Sequence, residues 1–316
     1  MGLVRTILFT LVMLAGIGFP TMGRASLLFY ASSNNMVSSP SNILKVFSDG
    51  TSSAWNITWD RAFELYDPRG IAIDSAGNVY VNDSEYILKI DPSGNGTVFA
   101  TKPSASYGYG VTVDALGNVY SVGAVGFYYG IYKYDASGQL IDTWTLPGQS
   151  LSNLAIGPDG YIYSGDVFAG AVYRFDPADG SNTVYASVDS AGDVAFAPNG
   201  TLYVGSYKAV YQVTDDVVST ALNKRVYQSY GLGVDADGTL YIGNNRSNWD
   251  NEILAHQQDT STTSYTIFAD LTEEQTITGI AMVPEPSTVT LLALACAFIA
   301  LVMRSRLRNQ TRRRLE

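Results

Sequence analysis

The chain has 316 residues, 46% of them hydrophobic and only 15% charged, with a formal net charge of −10, one histidine and one cysteine. Two of its 19 basic residues fall in positions 1–25 and six in 284–316, so positions 26–283 hold 11 basic against 27 acidic residues, a net charge of −16. A body so acidic repels phosphate backbones and argues against a nucleic-acid partner, while the single histidine and cysteine argue against histidine-rich zinc sites and a disulfide framework.

At the N-terminus, Arg5 is followed by an apolar stretch over 7–19, and the small residues Gly23 and Ala25 stand three and one positions before a cut after Ala25. This is the pattern of a secretory signal peptide, so residues 1–25 are expected to be removed on export. Three strands are predicted next, at 27–31, at 43–47 and around Trp55 to Trp59, as short apolar runs bounded by turn residues.

An internal repeat then takes over. Gly70-Ile71-Ala72-Ile73-Asp74-Ser75-Ala76-Gly77-Asn78-Val79-Tyr80 recurs at 110–120, 153–163, 193–203 and 231–241. The tyrosines that close the copies, Tyr80, Tyr120, Tyr163, Tyr203 and Tyr241, are 40, 43, 40 and 38 residues apart. That period belongs to four-stranded propeller blades. Each copy predicts two strands joined by a tight turn in which glycine supplies positive φ, and the rest of each period supplies two outer strands, such as 87–91 with 97–99. Face-to-face packing of such sheets accounts for many of the 22 tyrosines.

Residues 279–282 begin a sixth copy that stops at Val283, and its missing strands are those predicted at the N-terminus. Joining the two ends in one blade closes the ring and removes its exposed edges. The expected fold is therefore all-β, a six-bladed β-propeller over 26–283 whose N- and C-terminal strands share one blade. A signal helix precedes it and a transmembrane helix follows.

The turns between first and second strands are short and nearly identical, which marks them as structural. The opposite face gathers the variable loops. There the repeat places Asp83, Glu85, Tyr128, Asp166, Tyr207, Asn244 and Trp249 on a candidate ligand rim, with Arg69, Tyr109, Asn153, Asp193 and Tyr230 nearer the axis. Acids, amides and aromatics in such a ring suit an extracellular saccharide, protein or cation.

The pattern Gly-hydrophobic-Ala-hydrophobic-Asp, then Gly-Asn-Val-Tyr, then Ile87-Leu88-Lys89-Ile90-Asp91 resembles the NHL and gluconolactonase-like propellers across residues 27–282. That resemblance implies the fold and leaves the activity open, since such repeats occur in lyases, lactonases and pure binding modules. A gluconolactonase-like calcium site would take acids and amides from the axial ends of strands, where Asn153 and Asp193 are of suitable type; the glutamate ligand such sites bring has no counterpart in the repeat. Asp235-Ala236-Asp237-Gly238 is not an EF-hand loop, because its sixth residue is not glycine and its twelfth is Arg246 rather than glutamate. His256 is expected on an outward third strand as a surface residue, away from any axial chemistry. No catalytic triad is assignable.

The chain closes with Val283-Pro284-Glu285-Pro286-Ser287-Thr288, an apolar run over 289–303, and Arg304, Arg306, Arg308, Arg312, Arg313 and Arg314. A basic block after an apolar run stops translocation with its charges in the cytoplasm, and at about 1.5 Å per residue the run reaches roughly 22 Å. This tripartite tail resembles the PEP-CTERM sorting signal of Gram-negative bacteria, which implies recognition of Pro284-Glu285-Pro286 by an exosortase-type membrane enzyme. The expectation is an exported protein with three parts: signal peptide 1–25, propeller 26–283 and sorting tail 284–316. It is first held in the inner membrane, then passed to the envelope or the extracellular space. Two functions stand open: a non-enzymatic binding or scaffold module without a cofactor, and a calcium-dependent lactonase or hydrolase.

Overall fold

The computed structural model describes residues 25–34, 41–60, 63–103, 109–125, 128–146, 148–223, 231–245, 251–257, 263–271 and 276–284. The leader, Glu285, Pro286 and the rest of the tail lie outside the described residues, as do Tyr230 and Trp249.

Every regular element among the described residues is a strand. The first three, β1 (Leu27–Asn34), β2 (Asn42–Phe47) and β3 (Ser52–Ala54), belong to a blade completed only at the C-terminus; β4 (Thr58–Trp59) has already left it. The first complete blade is β5 (Pro68–Ile73), β6 (Val79–Asp83), β7 (Tyr86–Ile90) and β8 (Asn95–Thr101). The second is β9 (Val111–Val113), β10 (Val119–Val125), β11 (Tyr128–Tyr134) and β12 (Leu140–Leu146). In the third are β13 (Leu151–Ile156), β14 (Ile162–Asp166), β15 (Ala171–Phe175) and β16 (Asn182–Ser187). The fourth holds β17 (Val194–Phe196), β18 (Leu202–Gly205), β19 (Val210–Thr214) and β20 (Val217–Leu222). The fifth has β21 (Leu232–Val234), β22 (Leu240–Asn245), β23 (Asn251–His256) and β24 (Thr266–Asp270), and the final strand, β25 (Thr276–Met282), returns to the first three.

Ring closure follows the expected exchange. In the sixth blade the order is β25-β1-β2-β3, with β25 antiparallel to β1 in a register that sets Met282 opposite Phe29 and Gly279 opposite Ser32. The hydroxyls of Ser32 and Thr278 lie 3.0 Å apart and reach the carbonyls of Arg69 and Pro68 in the first blade, so the joint between the two chain ends is also bonded to its neighbour.

One expectation is corrected. The outermost strand of the sixth blade is β3 at Ser52–Ala54, not the segment from Trp55 to Trp59. Trp55 turns inward and stacks on Tyr30, with ring centroids 4.5 Å apart, and the chain then crosses so that β4 pairs in parallel with β8 as a fifth strand of the first blade. Gly96 makes that crossing possible, because a Cβ there would stand 2.4 Å from the Trp59 ring.

The core is divided among the interfaces between blades. Tyr203, Val210 and Leu222 of the fourth blade pack on Leu232, Leu240 and Leu254 of the fifth, and Tyr30, Ile43 and Trp55 of the sixth on Ile71, Val79 and Leu88 of the first. Burial of each such side chain contributes about 1.5–3 kcal/mol. No wedge is complete without its neighbour, which is why the period repeats.

Within a blade the repeat builds its own lock. Asp74 Oδ1 accepts the backbone N–H groups of Ala76 and Asn78 across the β5–β6 turn, with Gly77 at φ +83°, and Asp74 Oδ2 accepts the Tyr80 hydroxyl at 3.4 Å. The same bond joins Tyr120 to Asp114 at 3.2 Å, Tyr163 to Asp159 at 2.8 Å and Tyr241 to Asp235 at 3.0 Å. In the fourth blade Ala197 stands where Asp74 does, and the buried Tyr203 hydroxyl has no hydrogen-bond partner. Burial pushes the Tyr203 phenol up to about 12.

His256 ends β23 but is 3% exposed, so it is a buried rather than a surface histidine. Its Nδ1 lies 2.6 Å from the Ser264 carbonyl oxygen and donates to it.

Candidate binding face

The strand directions give the ring two unlike faces. The tight Asp–Gly turns lie on one; the loops between second and third strands, and the entries to the innermost strands, lie on the other.

On this loop face two acids of the expected rim, Asp83 and Asp166, are sunk beneath it. Asp83, at the end of β6, is 1% exposed, and its carboxylate accepts the N–H groups of Tyr66 at 3.1 Å and Asp67 at 2.5 Å. Asp166, at the same place in β14, is fully buried. Its Oδ2 accepts Ser150 N–H at 2.8 Å, and its Oδ1 accepts Phe168 and Ala169 N–H at 3.0 and 2.9 Å. Asn244 of β22 is also buried and donates to Glu252 at 3.2 Å. Each of these side chains ties loop backbone or a neighbouring strand to its own blade. Glu85 and Tyr128 do stand in solvent at the rim.

A buried charged network was not foreseen. Lys102 is 4% exposed and donates to Asn82 Oδ1 at 2.8 Å, while Asn82 Nδ2 reaches the carbonyls of Gly110 and Val122 in the second blade. Desolvation lowers the Lys102 ammonium to about 8, against the pull of Asp83 and Asp67; burial raises Asp83 in turn. Arg69 bonds Asp67 at 2.8 Å and lies 4.8 Å over the Tyr109 ring. In the sequence these groups are spread from Asp67 to Lys102, and no local pattern joins them.

At the axis, Asn153 and Asp193 do come together. They occupy the repeat position held by Gly70, Gly110, Gly231 and Gly279 in the other blades. A Cβ at Gly110 would stand 2.7 Å from Leu154 N, so glycine there lets innermost strands approach backbone to backbone. Asp193 is fully buried and bonds the Asn153 amide; its Oδ1 accepts Val194 N–H at 2.9 Å and its Oδ2 accepts Leu232 N–H of the fifth blade at 2.7 Å. Burial raises its carboxyl to about 7. Calcium takes six to eight oxygens, whereas this pair offers one carboxylate and one amide oxygen, all three already facing N–H donors. The pair does not fit the ion, and among the described residues no cluster of three His, Cys, Asp or Glu could hold a metal.

Of the hollows open to solvent among the described residues, three bear on the site. One, about 420 Å³, lies on the turn face between Pro198, Val234 and the two ends of the sixth blade, at Leu28 and Val283. Here the chain leaves the ring: Val283 N–H still bonds the Leu28 carbonyl at 3.1 Å, and Pro284 is exposed. Another, about 360 Å³, lies beside Phe63, Tyr66 and Tyr86 with Glu64 and Glu85 at its edge. The third is a cleft of about 120 Å³ on the loop face, walled by Tyr109, Ser150, Ser152, Phe168 and Tyr207. It unites two residues of the expected ligand set, Tyr109 and Tyr207, with Phe168, which was not foreseen and is 87% exposed.

Neither a known family model nor a curated protein matches the chain. Solved structures do. A structure of a nidogen/laminin complex is similar with a TM-score of 0.62 at 12% identity over 81% of this chain and 97% of that one. A protein of unknown function from Bacteroides caccae gives 0.56 at 12% identity over 82% and 100%, and a streptogramin B lyase gives 0.56 at 16% over 82% and 93%. At these identities the likeness is one of architecture, and it agrees with the strand pairing: the chain is a six-bladed β-propeller closed by its own two ends.

Proposed function

We propose that the protein is an exported, envelope-sorted propeller that binds an extracellular ligand through its loop face and performs no chemistry of its own. The observation that carries this reading is the cleft lined by Tyr109, Phe168 and Tyr207, where the Phe168 and Tyr207 rings are open to solvent on the variable face while the axial acid and amide are tied into the ring. Large exposed aromatics add nothing to the core and are a common means of contact. Fold alone does not choose between binding and catalysis, as a lyase and a nidogen/laminin complex among the similar structures illustrate.

The sorting tail supports the location. Val283 and Pro284 leave the turn face, so a chain tethered through residues 289–303 would hold its loop face away from the inner membrane. An exosortase-type enzyme acting near Glu285 would release the module without removing a strand, since β25 ends at Met282.

Retention of the exported chain on isolated envelope and matrix material, before and after calcium chelation, tests the binding role. Retention that survives chelation, with no turnover of lactones, is the expected result; calcium-dependent lactone turnover would replace this reading with a hydrolase. For sorting, Glu285→Ala is expected to leave the protein in the inner membrane with its tail uncut, and unchanged release would remove the exosortase from the account.

A further inference from the structure

The loop-face cleft is built rather than incidental. Two of its walls come from separate segments of the third blade, the entry to β13 at Ser150 to Ser152 and the β14–β15 turn at Phe168, and Tyr109 and Tyr207 reach it from the blades on either side. One buried carboxylate fixes both, since Asp166 Oδ2 holds Ser150 N–H and Oδ1 holds the N–H groups of Phe168 and Ala169. A site whose walls are locked before the ligand arrives loses less freedom on binding. Here a fully buried acid presents an aromatic ring that is 87% exposed, with Tyr207, 43% exposed, contributed by the next blade.

The chemistry of the lining narrows the ligand. The Phe168 and Tyr207 rings offer flat apolar faces, the half-buried Ser150 offers a hydroxyl that donates and accepts, and no charged side chain is among the lining residues. The nearest acid, Asp166, has its oxygens facing N–H donors below the surface. A ligand with apolar C–H faces and many hydroxyls, but no charge, matches this set. An anionic chain would meet a domain of net charge −16 with no cation among the lining residues, and the two cations beside the cleft, Arg69 and Lys208, are paired with Asp67 and Asp189. We propose that this cleft is a subsite for one ring of a neutral polysaccharide, whose neighbouring residues run over Phe168 and Tyr207. The proposal rests on the loop-face binding role and specifies its ligand class.

The test uses the full-length chain in a polyoxyethylene detergent, because an alkyl glycoside would itself compete. Cellohexaose, maltohexaose and mannohexaose are titrated by calorimetry beside hexagalacturonate as the anionic control. At least one neutral hexasaccharide should bind in the millimolar range or tighter, and Phe168→Ala and Tyr207→Ala should each weaken it about tenfold or more. Leu116→Ala, at an exposed position on the turn face, should leave affinity unchanged. Absence of neutral binding at about 10 mM, equal binding of hexagalacturonate, or full affinity in Phe168→Ala would each overturn the proposal. Matrix treated with periodate or with protease separates this failure from that of the binding role. If capture is lost in Phe168→Ala and abolished by protease but not by periodate, the binding role stands with a protein partner and the saccharide falls; if neither capture nor sugar binding occurs, both fall.

Discussion

The axis and the rim of the loop face carry similar residues and use them in opposite ways. At the axis, Asn153 and Asp193 are polar side chains in positions that other blades fill with glycine, and every hydrogen bond described for them is directed into the ring. At the rim, Phe168 is 87% and Tyr207 43% exposed, and a buried acid below holds the backbone of Phe168. A polar residue at a propeller's centre is thus no sign of a ligand when neighbouring strands already supply its donors. An apolar residue at its edge is the better sign, because folding gives it nothing to do.

Gly110→Ala would break the axis most severely. The added Cβ would press on Leu154 N at 2.7 Å and on Asn153 Cα at 2.9 Å, and backbone cannot rotate away as a side chain can. A loss of about 4 kcal/mol or more in urea unfolding is expected, up to failure to fold.

The next effect is on pH dependence. With Asp193 near 7 in the folded protein and 3.8 as its ordinary value, the folded state keeps a proton that the unfolded chain has lost anywhere between the two. Stability contributed by this group therefore falls as pH rises through that window, by up to about 4 kcal/mol. Asp83, also raised by burial, acts in the same direction; Asp49, Asp91, Asp135 and Asp179, lowered by local hydrogen bonds, act below the window. Asp193→Asn should flatten the slope between about pH 4 and 7 while keeping the melt cooperative. An unchanged slope would show that the carboxyl titrates near its ordinary value.

What the sequence made legible was what a blade does within itself. The spacing from Tyr80 to Tyr241 counts the blades, and the Asp–Gly turn with its tyrosine is a bond over four to six residues, so a local pattern encodes it. The joint of β25 with β1 could be read because an incomplete copy at one end needed strands available at the other. Asp83 and Asp166 were unreadable as buried groups because the backbone that closes over each, at Asp67 and at Ser150, lies 16 residues upstream, on a path that no local pattern sets. His256 misled for the same reason: it lies on an outer strand, and Ser264 covers it only after the chain has turned back. Trp55 was placed in a strand as part of a short run needed to complete the blade, and packing against Tyr30 took it out of the sheet.

The smallest effects sharpen the contrast between bonded framework and free surface. Tyr163→Phe removes a 2.8 Å bond to Asp159, which keeps Arg174 at 2.9 Å, and should cost about 1 kcal/mol in a thermal or urea melt. Tyr203→Phe removes a buried hydroxyl that has no partner, so it should be neutral or slightly stabilising although the side chain is only 1% exposed. Phe168→Ala should change stability by less than about 0.5 kcal/mol, because an exposed ring leaves no cavity behind. The three changes are informative together. Tyr203 and Tyr163 are equivalent in burial and differ in one hydrogen bond, while Phe168 has neither burial nor a side-chain bond to lose. A loss of stability in Phe168→Ala comparable to that in Tyr163→Phe would mean that the ring is packed against the fold in solution, and the cleft would then be part of the framework rather than a place for a ligand.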